Sequence, residues 1–419
     1  MSTEITLRLY SDVRAALSNK DLTRSLDFEK YEAGNITEGT LSLLHGNEHR
    51  DRRRVENQLF RRATLEFYEQ VLFPEIVEDT LRRFVFADPP VADLMEIGGL
   101  LTVVLSARTA GIDFDLDSLE QRRRLGEFLH LFALSGAIDV ARRDPEEIKA
   151  EMRAALAAFD VEFARASRQR RERLLERFYA GEITESELPA DAFTTLLRAR
   201  REGSVEMDDT LLLREIRLFF GAGAHTSTQT LTNTFDQIFA WCEDHSQDWE
   251  RLGTDLYFAQ RAVQEALRVR PTNPMIHRRA QTDTVVGDHE VPEGTIVLLD
   301  TIAANTDQDV YGPDAAEYNP HRHASKDAAP WGMSFGHGMH LCIGRTHAVG
   351  LPVGVDESEA AADHLYGLVP MAVQTLARHG IARDPERPPQ RDTQTERWTR
   401  WAHYPVRFDK SLVRGSAGA

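Results

Sequence analysis

Phe335-Gly336-His337-Gly338-Met339-His340-Leu341-Cys342-Ile343-Gly344 is the stretch on which the reading of this chain turns. It contains one of the two cysteines in the sequence, the other being Cys242, and glycines at 336, 338 and 344 surround it. Glycine permits positive φ and close backbone approach, so this density implies a tight loop pressed against something flat or bulky. A cysteine in such a loop can be a thiolate ligand whose sulfur accepts hydrogen bonds from loop amides, which tune a bound metal. Phe335, seven residues earlier, would shield it from water. Three readings stand open on these residues. One is a buried free cysteine in a glycine-rich turn, the default by residue type. Another is a zinc site from His337, His340, Cys342 and His347, although zinc patterns usually split two short ligand pairs across an intervening segment. The third is a haem iron with the thiolate as axial ligand.

The chain has 419 residues, 42% of them hydrophobic. That length is only a soft guide to domain number and is ample to enclose a large cofactor. Fifty basic against 67 acidic residues give a net charge of -17, which disfavours non-specific nucleic-acid binding. Two cysteines exclude a disulfide framework and fit a reducing cytoplasm. The start, MSTEITLRLY, lacks a basic segment followed by an apolar run, so no signal peptide is expected. No window approaches a membrane-spanning length of apolar residues.

Residues 5–9 alternate as a short strand, and Asp12 is placed to cap a helix from Val13 to Leu17. Residues 20–45 read as irregular, either a surface loop or a segment over a pocket. His49 and Arg53, four apart, share a helix face. With Arg50, Arg52, Arg54, Arg61 and Arg62 they form the most basic part of an acidic chain. That face is either solvated, or a clamp for carboxylates and a docking patch for an acidic partner. Residues 66–200 read as successive helices, including 117–135 and 146–179. The apolar stripe of the latter, Phe159, Phe163, Leu174, Leu175 and Phe178, is a core pattern.

The longest helical pattern is 208–240. Its middle, Phe219-Phe220-Gly221-Ala222-Gly223-Ala224-His225-Thr226, carries two glycines, each costing a helix about 1 kcal/mol relative to alanine. Small residues there let a flat body, or a neighbouring helix, lie close, and Thr226 can bond back to a carbonyl and bend the helix. Glu265 and Arg268 can pair on one face of a short helix that Pro271 and Pro274 end. Val291–Leu299 reads as a strand pair around Pro292-Glu293-Gly294. After the cysteine loop, Gly350, Pro352 and Gly354 interrupt any helix, and Asp356-Glu357-Ser358-Glu359 reads as a fresh start. Residues 384–396 read as loop, 405–408 as a strand and 411–419 as a disordered tail.

The pattern Phe335-x-x-Gly338-x-His340-x-Cys342-x-Gly344 resembles the haem-binding loop of the cytochrome P450 monooxygenases. Ala222 to Thr226 resembles that family's (Ala/Gly)-Gly-x-(Asp/Glu)-Thr motif, with His225 in place of the acid. Glu265-Ala266-Leu267-Arg268 matches its Glu-x-x-Arg element, and Pro320-His321-Arg322 its meander, which makes Arg322 the expected partner of Glu265 and Arg268. The resemblance runs from strand 5–9 to strand 405–408. It implies a mainly α fold with a smaller β portion, a single domain over 1–419 with a shortened N-terminus, enclosing haem b. Gly350 to Glu359 resembles an insertion near the proximal face.

By the same resemblance Cys342 is the axial ligand of the haem iron. His49, Arg53, Arg278 and His340 hold the propionates, and Phe335 and Gly344 complete the cofactor-binding loop. Thr226 and His225 serve proton delivery, and Phe219, Ala222, Pro274 and Met275 line an apolar substrate pocket. The implied activity is insertion of one oxygen atom from O2 into a C–H bond of a small or medium apolar organic substrate. Electrons would come from NAD(P)H through a separate ferredoxin or flavodoxin-type partner, in the cytoplasm, with neither nucleic acid nor membrane involved. The altered acid position leaves a peroxygenase, a coupling, desaturating or nitrating enzyme, and a non-catalytic haem sensor as alternatives.

Overall fold

The computed structural model describes residues 4–24, 37–135, 138, 141–323, 327–354, 363–393 and 400–409. The chain opens with β1 (Glu4–Leu7) and α1 (Tyr10–Ser18). Asp12 is not the cap of α1. Leu9 occupies that position, and Asp307 Oδ2 accepts the Tyr10 amide at 3.0 Å, so a distant carboxylate does the capping. β2 (Leu22–Thr23) follows, then α2 (Gly46–Glu56). His49, Arg52, Val55 and Glu56 of α2 are buried, so this basic segment is not simply a solvated face. α3 (Arg62–Phe67) runs through a π-turn (Tyr68–Leu72) into α4 (Phe73–Val85).

After β3 (Val91–Asp93), Asp93 caps α5 (Leu94–Ala110) through the Met95 amide. α6 (Leu119–Ser135) follows. The 146–179 pattern is α7 (Pro145–Phe159), a π-turn (Asp160–Ala164) and α8 (Arg165–Tyr179). Asp191 caps α9 (Ala192–Arg201). The helix expected over 208–240 is two: α10 (Asp209–Ala222) and α11 (Ala224–Asp244), separated at Gly223. The Thr226 hydroxyl donates back to Ala222 O at 3.1 Å and to Gly223 O at 3.3 Å, which favours a bend at this point. α12 (Gln247–Thr254) and α13 (Leu256–Val269) complete the helical body.

Four strands form the main sheet in the order β1-β7-β4-β2, with β4 spanning Met275–Ala280 and β7 Ile296–Asp300. β1 runs parallel to β7, and β7 antiparallel to β4. The strand pair expected over 291–299 does not form. β6 (His289–Val291) pairs instead with β5 (Thr284–Val286) across Gly287 at φ 57°, while β7 belongs to the main sheet. The Gly294 amide donates to Ala280 O at 2.9 Å, which turns the chain out of the hairpin into that sheet. A second sheet, β3-β11-β8, uses β8 (Ile381–Arg383) and β11 (Pro405–Phe408). β9 (Gln390–Arg391) pairs β10 (Trp401–His403), so 384–396 is not wholly loop.

Two main apolar cores result among the described residues, beside a small cluster of Ile138 and Ile148. The larger is helical and centres on α11 and α5, which meet closely at Gly98, where a Cβ would lie 2.7 Å from Thr228 Cγ2. The smaller packs Leu7, Val13 and Leu17 against Val297, Leu299 and Met333. The cysteine loop lies between them, with Met333 in the small core and Phe335 against the large one.

Beyond the loop come α14 (Thr301–Asn305) and α15 (Gln308–Tyr311) on its upstream side, and α16 (Arg345–Val349) and α17 (Leu368–Arg378) downstream. α16 has only five residues. The ends of the excursion between α16 and α17 meet again: the Leu351 amide donates to Leu365 O at 2.8 Å, and a Cβ on Gly367 would lie 2.5 Å from Gly350 N. The fresh helix start expected at 356–359 and the tail at 411–419 lie outside the described residues.

Candidate functional site

The cysteine loop is held by its backbone. Gly336 and Gly338 adopt φ of 70° and 65°, and a Cβ on Gly338 would meet Leu17 O of α1 at 2.6 Å. The Cys342 amide donates to Phe335 O at 2.9 Å. Burial pushes the Cys342 thiol up, while the amides of Gly344 and Arg345 at its sulfur and the nearby Arg53 and Arg345 charges work the other way. The sulfur therefore sits in a cradle of N–H donors that becomes favourable once a cation binds it.

The zinc reading does not survive this geometry. His347 is buried with its ring centroid 4.6 Å from that of Tyr68 and 5.1 Å from that of Phe73. His340 lies edge-on to His49 at 4.7 Å. Among the described residues no three His, Cys, Asp or Glu side chains converge as a metal set. Cys342 offers a single thiolate, so a metal here must bring its other donors with it, as the iron of a porphyrin does.

The start of the loop is tied to α13. Arg268, fully buried, donates to both Glu265 oxygens at 2.8 and 2.7 Å and to Asn305 O at 2.7 Å. Arg322 donates to Glu265 Oε1 at 3.1 Å and to Asp314 Oδ1 at 2.9 Å. Asn305 carries the connection onward. Its Nδ2 donates to Arg268 O and to Ser334 Oγ, both at 3.0 Å, and its Oδ1 accepts the Met333 amide at 2.6 Å. Sequence reasoning placed Ala303-Ala304-Asn305 with the meander-like segment but gave the Asn305 side chain no role of its own. Its signal was present only as Gly332, whose positive φ leaves room for that amide.

A cluster of cationic and imidazole groups borders the loop. Burial, then Arg53, His45 and Arg24, lower His49 to about 4. Burial, then Arg24, Arg278, His49 and His45, lower His340 to about 2. Burial also lowers Arg53, with Cys342 opposing. His340 Nε2 and His45 Nδ1 are buried without a hydrogen-bond partner. Groups that depress one another in this way are relieved by an added anion, and carboxylates would supply one. Arg24 and His45 were not expected in this cluster. Sequence spacing cannot link them to His340, because only the fold brings the end of β2, the start of α2 and the loop together.

On the central helix pair, Ala222, Gly223 and Thr226 are exposed in the middle of a largely covered run, so that face is left open by the described residues. Phe219 stacks on Phe60 at 6.4 Å, and Phe60 Cε1 would be 3.9 Å from a Cβ on Gly344, so one aromatic ring bridges helix and loop. Pro274 and Met275 are half-buried at the start of β4, where Pro274 O accepts the Thr301 amide at 3.0 Å. Arg278, in the same strand, is buried and donates to His277 O at 2.8 Å. His225 does not share the exposed face of Thr226. Its Nε2 is buried without a partner, and burial, Arg400 and His130 lower it to about 3.

The single sulfur, the cluster that wants carboxylates and the uncovered small-residue face together fit a flat, dianionic iron porphyrin. The family profile described as Cytochrome P450 matches residues 241–349. A Bacillus subtilis (strain 168) cytochrome P450, YjiB, is 29% identical over 178 residues, 42% of either chain. The C-19 steroid 1alpha-hydroxylase of Sorangium cellulosum (strain So ce56) is 26% identical over 324 residues, 77% of this chain and 73% of its own. Other alignments are shorter: that with cytochrome P450(MEG) of Priestia megaterium spans 35% of the relative. Among solved structures, CalO2 superposes with a TM-score of 0.73 at 19% identity, covering 96% of this chain and 90% of that one.

Proposed function

The chain belongs to the cytochrome P450 superfamily, and from that premise we propose that it is a haem-thiolate monooxygenase. The observation that carries the proposal is Cys342, a lone thiol whose sulfur faces the amides of Gly344 and Arg345 with no metal-binding set of His, Cys, Asp or Glu formed around it among the described residues. Haem b, when bound, supplies the activation of O2 and the insertion of one oxygen atom into a substrate C–H bond. Cys342 is its ligand in this reading, and Phe335 and Gly344 frame the thiolate. His49, Arg53, Arg278 and His340, joined by Arg24 and His45, hold its carboxylates.

Thr226 is the residue for proton handling. Its hydroxyl sits at the helix break with Ala222 O and Gly223 O within hydrogen-bond reach, where water can compete for it. His225 is neutral at physiological pH given its lowered value, so it can pass a proton but holds no charge against Thr226. Ala222, Phe219, Pro274 and Met275 are the proposed apolar lining, which is the norm for small-molecule sites. The steroid hydroxylase among the relatives makes steroids the first substrates to screen.

Electrons come in this reading from NAD(P)H through a ferredoxin or flavodoxin-type partner in the cytoplasm. Arg62 already pairs with Glu66 at 2.7 Å and Asp363 at 3.0 Å, so it is less available to the acidic surface of such a partner. The experiment is the spectrum of the reduced, CO-bound protein, followed by product analysis with NADPH and surrogate redox proteins. A strongly red-shifted Soret band and oxygenated product are expected. The band without NADPH turnover on any screened substrate would favour a haem sensor.

A further inference from the structure

A cavity of about 400 Å³ lies behind the central helix, between α4, α5, α6 and α11. Ala224, His225 and Thr228 form its α11 wall. At about 100° per residue Ala224 and Thr228 point away from Ala222, Gly223 and Thr226, with His225 at the edge between the two faces, and none of Ala222, Gly223 and Thr226 lines the cavity, which is therefore separate from the site described above. Its chemistry is unlike that of the chain as a whole. Arg122 is 4% exposed and uses Nη2 on Asp79 Oδ2 at 2.9 Å, while its Nε and Nη1 are buried without a partner. His225 Nε2, in the same cavity, is also buried and unpartnered. Arg83, Arg123 and His130 also line it, and Glu96 is the one acid among the described lining residues, in a chain of net charge -17.

The space is built rather than left over. Gly98 is explained by packing, because its Cβ would strike Thr228 at 2.7 Å. Gly99 of α5 and Gly126 of α6 have no such reason: a Cβ on either meets nothing within 4 Å, and both line the cavity. Mid-helix glycine is unfavourable relative to alanine, so these two positions keep the cavity open at a cost. Phe84 and Leu129 supply an apolar wall beside the cationic one.

We infer that this cavity binds a small amphiphilic oxyanion, a carboxylate or phosphate monoester on an apolar body, held by Arg122 and His225. Arginine cannot shed its proton to relieve a buried unpaired N–H, and a small turn of the side chain would bring Nη1 to an oxyanion in the cavity, which supplies a charge-assisted bond. Because His225 lies one residue from Thr226, occupancy of the cavity bears directly on the helix break at Gly223. The ligand is an effector behind the reaction site, not the substrate that reacts at it.

The test is calorimetric titration of the purified haem-loaded protein with octanoate, octyl phosphate, inorganic phosphate and octanol. Haem spectra recorded in parallel report any binding at the cysteine loop. At least one of the two amphiphiles should bind, and which one binds more tightly distinguishes carboxylate from phosphate. Arg122→Gln should weaken that binding about tenfold or more. Gly126→Leu, which fills open space, should abolish it while leaving the thermal midpoint unchanged or raised and the CO spectrum intact. Should Arg122→Gln fail to fold, Gly126→Leu decides the matter alone. The inference is overturned if neither amphiphile binds or if Gly126→Leu binds like the parent. It is equally overturned if octanol matches the charged probes, or if inorganic phosphate matches octyl phosphate, which would mean an adventitious ion only.

Discussion

Gly332→Ala should cut the connection between the buried Arg268 network and the cysteine loop. Gly332 has φ 62°, and an alanine Cβ there would lie 2.1 Å from Asn305 Oδ1 and 2.5 Å from its Cγ. Asn305 cannot step aside cheaply, because it is fully buried and its amide makes three hydrogen bonds, to Met333 N, Arg268 O and Ser334 Oγ. Losing those at about 1 kcal/mol each, with about 1–2 kcal/mol for alanine in the left-handed region, gives a destabilisation of about 4–5 kcal/mol. That is a large part of the about 5–15 kcal/mol by which domains are stable. Denaturant titration of parent, Gly332→Ala, Asn305→Ala and the double variant measures it.

Asn305→Ala removes the atoms that the new methyl would strike. In that background Gly332→Ala should cost only the backbone strain, about 1–2 kcal/mol. The double-mutant cycle should thus show a coupling of about 3 kcal/mol, with faster haem loss in each single variant. Costs that add to within about 0.5 kcal/mol would refute the claim that the Asn305 amide links Arg268 to the loop.

Cys342→Ser should abolish the red-shifted CO band, and a retained band, or zinc in metal analysis of the parent, would show that the sulfur is not the iron ligand. Arg53→Leu and Arg278→Leu should each weaken haem retention by a charge-assisted hydrogen bond, about 1.5–3 kcal/mol, and unchanged haem-loss rates in both would remove them from the carboxylate cluster. Glu56 and Glu215, both fully buried, are raised above 4.5 by burial, and Glu56 further by the neighbouring Glu215. The folded protein then binds more protons than the unfolded chain above pH 4.5, so stability should fall as pH rises from there towards the raised values. Glu56→Gln should flatten that fall and gain most at the alkaline end of a denaturation series, and a pH profile parallel to the parent's would disprove it.

What was legible in the sequence was local. The cysteine loop, the Glu265–Arg268 pair and the glycines at the centre of 208–240 are each set by neighbours within a few residues, where spacing alone carries the chemistry. What was not legible depends on contacts far apart in the chain. The cap of α1 comes from Asp307, 297 residues from Tyr10, so no local pattern could displace Asp12 as the candidate. β6 and β7 looked like one hairpin because a turn separates two apolar runs, but their partners, β5 on one side and β1 with β4 on the other, are chosen by sheet register. Arg24 and His45 entered the cationic cluster only because the fold sets the end of β2 and the start of α2 beside the loop.

His225 carries two signals at once. Motif alignment placed it beside Thr226 for proton delivery, and helical geometry turns adjacent residues about 100° apart, with His130 and Arg400 within electrostatic reach of its ring. A carboxylate in that position would meet a positive surround and be stabilised as an anion, while an imidazole there is driven neutral. His225→Glu should therefore fold at least as well as the parent and place an anion where Arg122 now lacks one. If the cavity behind the helix is an oxyanion site, that variant should lose octanoate or octyl phosphate binding while its haem spectrum stays unchanged. Retained binding in His225→Glu would mean that the histidine neither holds the ligand nor shapes the charge of its cavity, leaving Arg122 as the only anchor.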